Sequence, residues 1–169
     1  MPESYREPKA HELRRRYLDA FGGAEFPVPV ESVAEDLLGL AVERIPMADC
    51  SGMLLPLERV IVVNAAEPET RRRFTIAHEL GHWICQCLEG SAAPVMCRDR
   101  DLSTAADRTR EREANVFAAE LLMPEEAVRD AGDAAAAAIA LGVSPEAAQW
   151  RLYSFGLAPP PSPLRGQGA

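Results

Sequence analysis

The run His78-Glu79-Leu80-Gly81-His82 constrains this chain more than any other five residues. It lies in a proline-free stretch from Thr70 to about Cys87, behind Pro68 and Glu69, which suit the first turn and the positive end of a helix. On a helix the two imidazoles stand one turn apart on one face, the spacing that lets both reach a single tetrahedral zinc. Glu79, about 100° around the axis from His78, is placed to contact an attacking water without ligating the metal. With three histidines in the chain, shuffling the composition would yield this pattern in roughly one sequence in 250, so chance is a weak account of it. The third histidine, His11, belongs to an N-terminal helix and reads as solvated.

A catalytic zinc of this kind needs a third protein ligand and an open fourth position. The downstream helix expected over Thr104 to Leu122 offers Glu111 and Glu113. At about 100° per residue, Ala114, Phe117, Ala118, Leu121 and Leu122 form its apolar face, with Glu111 at the margin beside Ala118 and Leu122. Glu113 projects toward Glu120 on the more polar side. Asn115, one turn after Glu111, is placed to accept the second ring N–H of a zinc-bound histidine. Glu111 is therefore favoured over Glu113 as the third ligand, with Asn115 orienting a ligand ring.

Around these two helices the patterning predicts an α+β fold. Leu13, Tyr17, Leu18 and Phe21 mark a helix from about Ala10 to Ala20, and Val33, Ala34, Leu37 and Leu38 a second one that Gly39 stops. Leu40–Ile45, Gly52–Leu55 and Arg59–Asn64 read as strands of a small, mainly antiparallel sheet. Gly90 to Ser103 reads as a loop long enough to act as a rim or lid. The alanine-rich run from Asp133 to Leu141, and a segment with Ser144 as cap and Pro145 at the first helical position, predict two short helices at the end. The sheet is expected to pack on the helix of the histidine motif and on the third-ligand helix, with further helices at both ends. One domain is expected over residues 1–157, followed by a disordered proline-rich tail over residues 158–169. The strand ending at Asn64 leads directly into the histidine helix; it reads equally as an ordinary core strand and as one that pairs with an extended substrate, and one strand can do both, which makes Val62 and Asn64 substrate-binding candidates.

Composition narrows the function classes. A formal net charge of -8 over 169 residues argues against direct binding of nucleic acid, which rests on cations facing phosphate. The N-terminus has no apolar leader core, and no segment approaches the roughly 20 apolar residues of a membrane span, so a cytoplasmic protein without membrane attachment is expected. Four cysteines, at 50, 85, 87 and 97, form no paired metal knuckle or disulfide framework and read as reduced thiols.

Two stretches together, Arg73-Phe74-Thr75-Ile76-Ala77-His78-Glu79-Leu80-Gly81-His82 and Glu111-Arg112-Glu113-Ala114-Asn115-Val116-Phe117-Ala118-Ala119-Glu120-Leu121-Leu122-Met123-Pro124, resemble the ImmA/IrrE metallopeptidases. The resemblance extends from Pro27-Val28-Pro29-Val30 to Arg151-Leu152, most of the chain. In the wider thermolysin-like group the third-ligand helix reads Glu-x-x-Ser/Ala-Asp/Asn-x-Phe, which Glu111, Ala114, Asn115 and Phe117 resemble. The resemblance implies a gluzincin-like core, one zinc per chain on His78, His82 and Glu111, Glu79 as catalytic base, and a helix-turn-helix repressor as the protein substrate. Nothing after Met123 looks like the long sensory domain of some members, so a minimal catalytic unit is expected.

Other readings are a zinc-bound but inactive partner-binding module and a DNA-associated regulator. For the latter, Val143 to Leu152 suits part of a helix-turn-helix, yet after Arg129 only Arg151 and Arg165 are cationic. A peptide deformylase would need a cysteine ligand in an upstream motif that is not found around Cys50.

Overall fold

A computed structural model describes residues 7–87, 95–96 and 104–161. Helix α1 (Glu7–Phe21) buries Ala10 and Leu13. After Pro27 the chain enters α2 (Val30–Ser32), which continues through Val33–Leu37 with the wider winding of a π-helix and buries Val30, Val33 and Ala34. The amide of Leu38 donates to the carbonyl of Val33, five residues back.

Four strands follow, β1 (Ala41–Ile45), β2 (Gly52–Leu55), β3 (Val60–Asn64) and, further along the chain, β4 (Val95–Met96). They form one sheet in the order β1-β3-β2-β4. β2 is antiparallel to both its neighbours, whereas β1 runs parallel to β3 with Ala41 opposite Val60. Two successive chain reversals, β1 to β2 and β2 to β3, bring β3 back into the direction of β1. β3 is buried along most of its length, and β1 is an exposed edge.

The sheet packs on α3 (Glu69–His82), which runs on through Trp83–Cys87 as a further π-type segment. Against α3 lies α4 (Ala105–Leu122). Thr104 caps α4 reciprocally with Asp107: its hydroxyl accepts from the Asp107 amide at 3.0 Å, and the Asp107 carboxylate accepts from the Thr104 amide at 3.2 Å. Two arginines hold the other end of α4. Buried Arg14 of α1 donates to the carbonyls of Glu120 (2.6 Å) and Leu121 (3.3 Å), and Arg151 donates to that of Met123 (2.8 Å).

Three short helices, α5 (Glu125–Ala131), α6 (Ala134–Leu141) and α7 (Pro145–Ser154), finish the fold. α5 is one more than the patterning predicts, because Val128 is its one fully buried side chain and it carries almost no apolar period. Its signals are punctuation alone: Pro124, then Glu125 and Glu126 in the first turn, and Gly132 at the stop. Ala158 packs on the core, and Gln149 donates to the Pro159 carbonyl. Most of the expected Gly90–Ser103 loop, Cys97 and the tail from 162 onward lie outside the described residues. Among the described residues no disulfide involves Cys50, Cys85 or Cys87, and no helix is long and apolar enough to cross a membrane.

Candidate metal centre

The motif helix is buried without a break from Thr75 to His82. What lets a second helix come close enough to complete a site is Gly81. A β-carbon there would stand 2.9 Å from Ala114 Cα and 3.0 Å from the Ala114 carbonyl oxygen, so backbone meets backbone where α3 crosses α4. Glu111, one turn before Ala114, is thereby carried over the two histidines.

The resulting geometry is a compact triangle of donors. His78 Nε2 and His82 Nε2 are 3.0 Å apart, and the two Glu111 carboxylate oxygens face one ring each, Oε2 at 3.2 Å from His78 Nε2 and Oε1 at 3.2 Å from His82 Nε2. Metal–ligand bonds of about 2.0–2.1 Å in a tetrahedron require donor–donor edges of about 3.3–3.4 Å, and each of the three separations lies within a few tenths of an ångström of such an edge. Glu113, about 200° around α4 from Glu111, is not among the three converging donors.

Both imidazoles are held through their other nitrogen. His78 Nδ1 lies 2.9 Å from Asn115 Oδ1, and His82 Nδ1 lies 2.8 Å from Gln86 Oε1. Gln86 was not identifiable as a site residue from the motif, although it stands one turn beyond His82 on the same face.

The donors act on one another electrostatically. Burial pushes the His82 imidazole down, but its hydrogen bond with Glu111, the charge of Glu79 and the Gln86 contact outweigh that and leave it above its ordinary value. Burial pushes Glu111 up, and its bonds to His78 and His82 more than reverse this, holding the carboxyl at about 2. A carboxylate facing two imidazoles is what a divalent cation can occupy by displacing protons.

Glu79 is fully buried. The start of β2 lies against it: a β-carbon on Gly52 would sit 3.8 Å from Glu79 Oε1, 2.8 Å from the Val62 carbonyl oxygen and 2.4 Å from Thr75 Cγ2. Only a glycine lets sheet and helix meet this closely. Burial and then the charge of Glu79 raise the Cys87 thiol.

The expected pairing of a substrate with β3 is corrected. β3 is hydrogen-bonded on one side to β1 and on the other to β2, so its backbone has no edge to offer. Val62 is interior, and the Asn64 side chain is fully used: its amide nitrogen donates to the carbonyls of Met47 (2.8 Å) and Cys50 (3.1 Å), and its oxygen accepts from the amides of Met47 (3.1 Å) and Ala66 (3.0 Å). Asn64 fixes the turns around the sheet through these four hydrogen bonds.

Comparison with known proteins places this geometry. Residues 35–153 match the model of the IrrE N-terminal-like domain, peptidase family M78. The chain is 31% identical over 122 residues to the radiation response metalloprotease IrrE of Deinococcus deserti, covering 72% of this chain and 43% of that protein. It is 28% identical over 131 residues to the protein of that name from Deinococcus radiodurans, covering 76% and 38%. The chain thus spans about two fifths of the length of these relatives. In fold it is similar to a Mycobacterium tuberculosis transcriptional regulator, with a TM-score of 0.62 and 22% identity over 94% of this chain and 58% of that one. The family match runs through the sheet and both donor-bearing helices and covers well over half of the sequence, so the chain belongs to the IrrE N-terminal-like family of metalloproteases.

Proposed function

We propose that the protein is a cytoplasmic zinc endopeptidase, one zinc per chain, that cleaves a helix-turn-helix repressor. The observation that carries the peptidase reading is the convergence of His78 Nε2, His82 Nε2 and the Glu111 carboxylate at one place, the two histidines on the helix that also carries the buried Glu79. Zinc bound there would acidify water and polarise a peptide carbonyl. Glu79 takes the proton of the attacking water and returns it to the leaving amine, a shuttle that its burial next to the donors suits. Asn115 holds the His78 ring. An extended substrate that adds a strand must use the outer edge of β1 or β4, the two ends of the sheet.

The repressor assignment rests on the family resemblance, and residues 1–157 are read as the catalytic unit. A direct DNA role is disfavoured by α7, whose exposed positions are Pro145, Glu146, Trp150, Tyr153 and Ser154, without a cation. Arg151 is engaged with Glu120 and the Met123 carbonyl. The test is to identify a helix-turn-helix protein encoded beside this one, incubate it with the zinc-loaded protein and measure intact masses. One pair of fragments that Glu79→Gln abolishes is expected. A repressor bound but left whole by wild type would favour the inactive binding module, and no binding would remove the substrate.

A further inference from the structure

The geometry assigns Gln86 as a positioning residue that fixes the tautomer of His82 and ties that ring to the helix bearing Glu111. The inference rests on the metal-site reading above and is independent of what the protein cleaves.

The argument begins at a group whose role is not adjustable. The backbone carbonyl of Arg110 can only accept, and Gln86 Nε2 lies 3.0 Å from it, so the amide nitrogen must face that way. Turning the amide over would set oxygen against oxygen. The Gln86 oxygen is therefore the atom 2.8 Å from His82 Nδ1. An amide oxygen can only accept, so Nδ1 carries the proton. In the neutral ring this leaves the lone pair on Nε2, the atom that stands 3.0 Å from His78 Nε2 and 3.2 Å from Glu111. One fixed carbonyl on α4 thus dictates which nitrogen of a histidine on α3 can bind metal.

The bridge is continuous. It runs from His82 Nδ1–H to the Gln86 oxygen, and from the Gln86 amide nitrogen to the Arg110 carbonyl, whose peptide is shared with Glu111. It is also dry, because Gln86 is 9% exposed and His82 is fully buried, which raises the cost of leaving either partner unpaired. The α-winding of α3 gives way to π-winding directly after His82, over Trp83–Cys87, and Gln86 lies in this irregular turn, a kind of distortion frequent at functional sites. Asn115 serves His78 from α4, whereas Gln86 serves His82 from the same helix and reaches α4 with its other end.

Two substitutions separate orientation from simple clamping. Gln86→Leu removes both hydrogen bonds, while Gln86→Glu keeps an acceptor at Nδ1 and loses the donor to Arg110. Zinc affinity of the full chain, measured by competition with a chromophoric chelator, is expected to fall about 10–100-fold in Gln86→Leu, the usual cost of losing a ligand's orienting partner. It is expected to stay within about threefold of wild type in Gln86→Glu, because a carboxylate orients a ligand histidine at least as well. Thermal unfolding of the metal-free proteins should show both variants destabilised, since both lose the Arg110 bond, Gln86→Leu losing the His82 bond as well and Gln86→Glu setting a carboxylate oxygen against the Arg110 carbonyl. Long-range ¹H–¹⁵N correlation spectra of metal-free protein, recorded at a pH where His82 is neutral, should show Nδ1–H in wild type and Gln86→Glu and a mixed tautomer in Gln86→Leu. Equal loss of zinc affinity in both variants, or an unchanged tautomer in Gln86→Leu, would overturn the assignment. Failure of the wild type to bind zinc would instead remove the metal site itself, with the spectra still deciding whether Gln86 sets the ring.

Discussion

Replacing Gly81 by alanine sets two physical effects against each other. In an isolated helix the change gains about 1 kcal/mol, the propensity difference between the two residues. Here the new β-carbon would stand 2.9 Å from Ala114 Cα, 3.0 Å from the Ala114 carbonyl oxygen and 3.3 Å from Phe117 Cβ. The first two are backbone atoms, so no side-chain rotation relieves them. Ordinary carbon contacts begin near 3.5–4.0 Å, and α4 must therefore back away by roughly 0.5–1 Å. Overpacking of this kind costs about 1–3 kcal/mol, so the balance is a loss of up to about 2 kcal/mol, or several degrees of melting temperature in a chain of this size. Glu111 moves with α4, and its 3.2 Å separations from the two Nε2 atoms would open toward 4 Å, past the tetrahedral edge. A fall in zinc affinity of at least tenfold should accompany the lost stability. Circular-dichroism melts of the metal-free protein and a chelator competition measure the two quantities. A Gly81→Ala protein about 1 kcal/mol more stable than wild type, with unchanged zinc affinity, would refute the reasoning.

Three further outcomes are expected. His78→Ala and His82→Ala should each lose the metal by elemental analysis, because two remaining ligands hold it weakly, while Glu79→Gln keeps it and loses hydrolysis. Glu111→Gln should weaken zinc binding far more than Glu113→Gln, with Asn115→Ala in between at about 10–100-fold, all read by the same chelator competition. In the metal-free protein, His82 is raised above its ordinary 6.5 and Glu111 is lowered from 4.5 to about 2. The His82 contribution to stability is then complete below pH 6.5 and is lost as pH rises through its folded value. The Glu111 contribution is complete above pH 4.5 and is lost as pH falls toward 2. The pair should therefore support the metal-free fold most between those limits, and the added stabilisation by zinc should grow above them as protons cease to compete. Melts from pH 3 to 9, with and without zinc, check the sign.

What could be read from the residues was whatever depends on one element at a time. Helix period alone put Glu111, not Glu113, at the margin of the apolar face of α4, and Ala114, Phe117, Ala118, Leu121 and Leu122 are buried in the structure. Ser144 was legible as a cap because capping is local. Strand order was not legible: β3 looked like an edge because nothing in Arg59–Asn64 reveals that β1, mostly exposed and weakly alternating, pairs on its far side. Asn64 looked available for the same reason, since its partners at Met47 and Cys50 come from a connection of irregular conformation. Gln86 was hidden because its role depends on a carbonyl contributed by another helix.

The unbroken burial of Thr75 to His82 bears on the relation between metal and folding. Backbone amides walled in on every side exchange with solvent only when the whole domain opens, so this octet belongs to the slowest-exchanging set of the protein. The seating of the two imidazoles should therefore rest on hydrophobic contacts that an ion does not make. A zinc finger gains its structure from its metal; here the ion would enter a pre-organised seat, and stripping it with a chelator should leave the helical spectrum of the chain intact.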